Sequence, residues 1–275
     1  MAVNLANKYQ KNVDERFKLN SLTESAVNRD FEWEGVNSIN IYSIPTVAMN
    51  NYTKSGLSRY GTAAELDNTV QTMTLTRDRS FTFTIDKGNK QDTMGVMEAG
   101  KALARQISEV IIPEIDTYRL ATMSSSAIAT GHTATAAITA SNAYSSLLKA
   151  GEFLSEDKVP VTGRIAFVTP SYYNFLKQDN AFIKASDVAQ NLLIKGQVGE
   201  VDGVKIVMVP STYFPANHAF ILVHPSATVA AQKLEDYKIH DNPPGVNGQL
   251  VEGRKRYDAF VLENKKNGLF AHKIL

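Results

Sequence analysis

Apolar and polar residues alternate at the strand period over residues 37–41, 70–75 and 81–85, and a polar, small, glycine-containing stretch separates the first segment from the second. This pattern predicts a long hairpin arm over residues 31–90, with 53–67, which holds Gly56 and Gly61, as its mobile tip and 86–89 (DKGN) as a closing turn. A lone two-stranded ribbon is marginally stable in water, so such an arm needs a partner surface. The simplest partner is a second copy of the chain. From Asp92 the period changes: Val96, Gly100, Leu103, Ile107, Val110, Ile111, Ile115 and Tyr118 recur every three or four residues, one face of a helix of about 30 residues, or about 45 Å, ending near Thr122. Pro113 lies inside it, lacks an amide donor and crowds the preceding turn, so a bend is expected there; the alternative is two helices, the second starting at Pro113.

The remaining segments are shorter. Residues 21–24 (SLTE) have capping-box spacing for a short helix, and spaced apolar residues through 1–30 suggest an arm along a neighbour. Residues 124–141, rich in Ala, Ser and Thr, read as a linker or a strand-like passage to a second region. Asn142 opens a helix carrying Tyr144, Leu147, Leu148 and Leu154; 164–168 is a buried strand turned by Thr169 and Pro170 into another helix. Residues 198–209 form a hairpin around Asp202 and Gly203, 219–223 is a buried strand, 226–239 reads as helix, and strands return at 257–262 and 269–272. Helices and strands of the middle region therefore alternate about one sheet.

Composition narrows the function. The 275 residues suffice for one large domain or two modest ones, and a net charge of +1 argues against a strongly basic nucleic-acid grip. Cysteine is absent, which removes disulfides, thiolate metal sites and a cysteine nucleophile. The start lacks a basic stretch followed by an apolar run, and no apolar segment nears the roughly 20 residues that cross a bilayer. A soluble protein that stays in its cell, with no membrane contact, is expected. His132, His218, His224, His240 and His272 show no metal-ligand spacing. Gly196, Gly199 and Gly203 do not make a dinucleotide loop, and no phosphate-binding or nucleophile-elbow motif occurs. No catalytic, cofactor or metal residue is therefore predicted. The cations of the arm and of the most basic stretch, Lys54, Arg59, Arg77, Arg79, Arg254, Lys255 and Arg256, are the predicted inter-subunit contacts; interleaved Glu252 and Asp258 also fit an ordinary solvated face.

The order of elements and the segments 100–107 (GKALARQI), 112–116 (IPEID), 199–206 (GEVDGVKI), 257–264 (YDAFVLEN) and 267–270 (NGLF) resemble the major capsid proteins of tailed bacteriophages, with the Hong Kong 97 (HK97)-type α+β fold, over essentially the whole chain. The resemblance implies an N-terminal arm (1–30), an extended β-hairpin loop over the adjacent subunit (31–90), a peripheral domain (91–140 with 236–275) with a spine helix at 94–122, and an axial domain (141–235). It further implies assembly into pentamers and hexamers of an icosahedral procapsid in the host cytoplasm, then a virion that encloses double-stranded DNA without sequence preference, with a portal protein.

Some relatives begin with a cleaved scaffolding segment. Met1 leads almost directly into the arm here, so a separate scaffolding protein is expected. Others cross-link a lysine to an asparagine; Lys54 or Lys90 with Asn264 or Asn267 are of the required types, with no local motif around them. The rival readings are an encapsulin-type nanocompartment shell of the same fold and an α/β enzyme centred on 141–235.

Overall fold

The computed structural model describes residues 21–31, 33, 37–63, 65–92, 98–179 and 199–275. Three sheets and one long helix organise them. β1 (Ser38–Ser43) and β2 (Thr69–Thr74) pair antiparallel over six residue pairs, from Ser38 opposite Thr74 to Ser43 opposite Thr69. β3 (Arg77–Asp86), expected to continue this ribbon, instead pairs with a distant strand, β10 (Gly248–Val261), which pairs in turn with β9 (Thr228–Asp241). Asp86 Oδ1 accepts from the amides of Gly88 and Asn89, so the expected turn is the capped start of a short helix, α1 (Lys87–Asp92).

The segment 226–239, expected as a helix, is strand β9 except for a single 3-10 turn at Pro225–Ala227. Its alanines favour a helix locally, but the thirteen-pair ladder with β10 outweighs that small propensity. β10 also starts earlier than its apolar end suggests, because its first half, from Gln249 to Arg256, carries charges on an exposed face.

The long helix runs without interruption from Ala99 to Ala129: α2 (Ala99–Gln106), a π turn (Ile107–Ile111) and α3 (Ile112–Ala129). Pro113 is the second residue of α3, directly after the π turn, and the widened turn accommodates its ring and its missing amide without ending the helix. The helix extends past Thr122 through the supposed linker, since Leu120, Met123 and Ala127 keep the helical spacing and are buried. Its end is a Schellman motif at Gly131 (φ 77°): the amide of Gly131 donates to Ile128 O (3.1 Å) and that of His132 to Ala127 O (3.0 Å).

The largest sheet has six strands in the order β4 (Thr133–Thr135), β11 (Leu269–Lys273), β8 (His218–Val223), β5 (Arg164–Val168), β7 (Val204–Met208), β6 (Glu200–Val201). Both faces are covered, which explains the unbroken apolar runs of β5 and β8. Ala166, Val168, Phe220 and Phe270 meet α4 (Ala143–Glu156) and α5 (Pro170–Gln178) through Leu147, Leu154, Tyr172 and Leu176. Ile165, Phe167, Ile221 and Leu269 meet α3 through Leu120 and Met123 on the other side. The β6–β7 turn has Asp202 and Gly203 both at positive φ (51° and 72°), as a two-residue hairpin requires.

Residues 21–28 lie on the chain's own body. The buried carboxylate of Asp116 accepts from Ser21 Oγ (2.8 Å), Leu22 N (2.9 Å) and Thr23 Oγ1 (2.6 Å), and Asn28 forms a parallel bridge to Val229. The supposed capping box is thereby diverted: Ser21 bonds Asp116, and a single 3-10 turn forms at Glu24–Ala26. The rest of the expected N-terminal arm, residues 1–20, lies outside the described residues.

Candidate assembly site: the arm and its root

The arm has a fixed root and an uncovered end. At the root, strand alternation turns Ile39, Ile41 and Met73 inward, where they pack with Trp33, Leu75, Val229, Ala231 and Leu262. Trp33 stacks on Phe260 with ring centroids 5.5 Å apart. The outward face carries Asn40 hydrogen-bonded across the ribbon by Thr72 (2.7 Å), then the exposed pair Tyr42 and Val70.

Polar clamps fix this root. The side-chain amide of Gln71 donates to Val261 O (2.9 Å) and accepts from the amide of Glu263 (3.0 Å), occupying the chain just past β10 as a neighbouring strand would. Asn264 bonds Ser43 beside it. At the corner where the ribbon passes into β3, the buried carboxylate of Asp258 accepts from Thr76 N (2.7 Å), Thr76 Oγ1 (2.8 Å) and the Tyr118 hydroxyl (2.6 Å). Burial and that bond to Asp258 push the Tyr118 hydroxyl above its ordinary pKa.

Beyond Ser43 and Thr69 the ladder stops. Among the described residues of 44–68 the backbone makes two hydrogen bonds, Thr53 N to Arg59 O (3.1 Å) and Gly61 N to Ser58 O (3.0 Å), and both stay inside the tip. Tyr52 and Tyr60 meet edge to face at 5.1 Å, and Arg59 Nε donates to Gly56 O (3.1 Å). Gly56 and Gly61 sit at φ 94° and 92°, which the turns need and a side chain resists. The tip is thus a closed knob, not the continuation of a hairpin. Ile44, Val47, Met49, Leu57 and Tyr60 are all exposed, Met49 at 100% and Tyr60 at 86%.

The seven cations predicted as inter-subunit contacts fall into two groups. Lys54 and Arg59 lie exposed on the tip, and Lys54 has no ion pair among the described residues. The other five have partners within the chain. Arg254 grips Asp78 bidentately (2.9 and 2.6 Å), which holds the Asp78 carboxyl below its ordinary pKa and raises that of Arg254. Lys255 pairs with Glu235 (3.2 Å) and Arg256 bonds Asn37. Arg79 pairs with Glu114 on α3 (2.8 Å), while Arg77 lies over the Tyr118 ring (4.1 Å). Tyr257, buried and hydrogen-bonded to Glu114 (3.1 Å), is pushed up to about 12 by burial and by that carboxylate. Such pairs, 20 to 219 residues apart, are not visible in a local charge pattern. Gln71 and Asp258, the two clamping residues, carry no sequence signal beyond being polar at strand positions.

Among the described residues no group of three or more His, Cys, Asp or Glu is placed to hold a metal, and no helix is long and apolar enough to cross a membrane. His132, His218 and His224 bond neighbouring chain and side-chain groups; His240 faces Glu252.

The phage capsid protein family model matches residues 67–268, from the return strand of the arm to the turn before β11. The chain belongs to the phage capsid protein family. The capsid protein's fold is shared by solved structures that differ widely in sequence. One from Mycobacterium phage Che8 superposes with a TM-score of 0.75 at 17% identity, covering 98% of this chain and 97% of that one. The capsid structure of cyanophage P-SCSP1u gives 0.76 at 13%, covering 98% and 93%. The asymmetric unit of the bacteriophage PhiM1 mature capsid gives 0.72 at 15%, covering 98% and 91%. No curated protein matches the sequence. The capsid protein is therefore a major capsid protein of tailed-phage type with the Hong Kong 97-type fold, and Gln71 and Asp258 lie within the residues that the family model matches.

Proposed function

We propose that this capsid protein builds the head wall in pentamers and hexamers by laying the arm beyond Ser43 and Thr69 over a neighbouring copy. The observation that carries this reading is the arm's uncovered end: six large apolar side chains, Ile44, Val47, Met49, Tyr52, Leu57 and Tyr60, are exposed, whereas Phe167, Tyr172, Phe220 and Phe270 of the body are fully buried. Exposed apolar surface of that kind marks an interaction site. Each contact is modest, but a closed shell makes every copy hold several neighbours at once.

The same reading takes a separate scaffolding protein, a portal protein and double-stranded DNA as partners, with assembly in the host cytoplasm. A net charge of +1 suits a wall that encloses DNA without gripping it. The role is mechanical, not enzymatic. The proposed division is a peripheral part around the long helix and the β3–β10–β9 sheet, and an axial part around the six-stranded sheet. Leu269–Lys273 goes with the axial part in this proposal, since it pairs with β8 and β4.

Deleting residues 50–66 tests the arm. The expected product is a folded chain that elutes as small species on size-exclusion chromatography and shows no shells by negative-stain microscopy. Shells of normal diameter from that deletion overturn the proposal.

A further inference from the structure

The root and the knob of the arm are each organised, and the two passages between them are not. The root is held by six ladder pairs, by the two-sided Gln71 amide and by Asp258 at the corner. The knob, from Tyr52 to Gly61, closes on itself through the Tyr52–Tyr60 contact and the Thr53–Arg59 and Gly61–Ser58 bonds. Among the described residues, 44–49 and 65–68 make no backbone hydrogen bond and are exposed throughout. In those passages, and in their continuations at 50–51 and 62–63, torsions turn without breaking a backbone hydrogen bond, whereas motion of the root or within the knob breaks specific bonds.

We infer that the arm pivots in the passages 44–49 and 65–68 rather than where it joins the body, and that Gln71 is the positioning residue that sets the direction in which the root leaves. This inference rests on the capsid reading and adds the joint to it. One subunit sequence has to reach neighbours at more than one angle in a shell of pentamers and hexamers. A fixed root with a free elbow delivers the same preformed knob over a limited range of angles. A root free to swing spreads those angles and with them the curvature of the wall.

Gln71 is suited to this task by its two-sided bond. A methionine at 71 preserves the volume and removes both bonds; a glutamate keeps the acceptor for the Glu263 amide and removes the donor to Val261 O. Gln71 is only half-buried, so neither change empties the core.

Amide hydrogen exchange on unassembled chains, combined with cryo-electron microscopy of assembled particles, tests the inference. In the wild type, 38–43 and 69–74 should exchange at least about tenfold more slowly than 44–49 and 65–68. In Gln71→Met the root should lose about tenfold in protection while strands β5 and β8 keep theirs, and particle diameters should spread. Gln71→Glu should fall between the two. Wild-type protection of 44–49 equal to that of the root, an unchanged root in Gln71→Met, or a loosened root with wild-type diameters each overturns the inference. If wild-type chains supplied with the scaffolding protein form no shells, the proposed mode of assembly fails, and the exchange pattern alone decides the joint.

Discussion

The six-stranded sheet and the arm are made from the same alphabet of apolar residues and treat them in opposite ways. Around the sheet, Phe167, Phe220, Phe270 and Tyr172 are fully buried, with Tyr172 and Phe220 centroids 4.8 Å apart. On the arm, Met49, Leu57 and Tyr60 are almost wholly exposed, and only the root shares a core. The sheet satisfies its own requirements: Arg164, buried at its edge, has its guanidinium held by Pro160 O, Gly151 O, Val159 O and Ser155 Oγ at 2.7 to 3.0 Å. Beyond Ser43 the arm makes bonds only within its own tip and leaves its apolar side chains uncovered. On the proposed reading, the difference separates two kinds of stability in one chain, one that a single subunit possesses and one that it acquires only in company.

The contrast is sharpest in Phe220→Ala. Removing this ring opens a cavity among Tyr172, Phe270 and His272 and should cost about 3–5 kcal/mol in urea unfolding, enough to deplete folded subunits and shells together. Met49→Ser with Leu57→Ser should leave the unfolding free energy within about 0.5 kcal/mol of wild type, yet lower shell yield measured by sedimentation. A large stability loss in that pair of changes breaks the comparison, since it means the arm was already contributing within the monomer.

The smallest effect concerns acid. Burial lowers the pKa of His272 below its ordinary 6.5, so the folded chain keeps the ring neutral while the unfolded chain takes up a proton. Unfolded chains then bind more protons, and stability falls as pH drops below 6.5 toward the lowered folded value, with no contribution above it. His272→Gln should flatten that slope, read as the difference in urea midpoints between variant and wild type at about pH 7.5 and about pH 5.5.

The parts of this structure that could be read from the residues are those whose signal is local. The continuous apolar runs of β5 and β8, the Asp202–Gly203 turn, the Thr169–Pro170 start of α5 and the helical period about Ile115 each depend on a few neighbours in the chain. The arm's existence was legible for the same reason. Its anatomy was not: alternation in β3 is satisfied by β10 rather than by the ribbon, across more than 160 residues of sequence. The partners of the basic run at 254–256, Asp78, Glu235 and Asn37, are invisible until the sheet forms. β9 was hidden by its alanines, whose helical preference is worth a few tenths of a kcal/mol each and loses to a complete ladder. The Schellman glycine, Gly131, was a signal present in the residues, and it marks the true end of the long helix seven residues beyond Ser124.

The placement of β11 has a consequence for the timing of synthesis. Leu269–Lys273 lies between β4 and β8, and Leu269, Phe270 and Ala271 contribute to the cores on both faces of the sheet. While the ribosome still holds this stretch, β4 has no strand to join and the long helix has an incomplete floor. A nascent chain on a crowded polysome therefore stays short of its finished shape until this stretch has left the ribosome and joined the sheet, which delays the moment at which its siblings meet a competent building block.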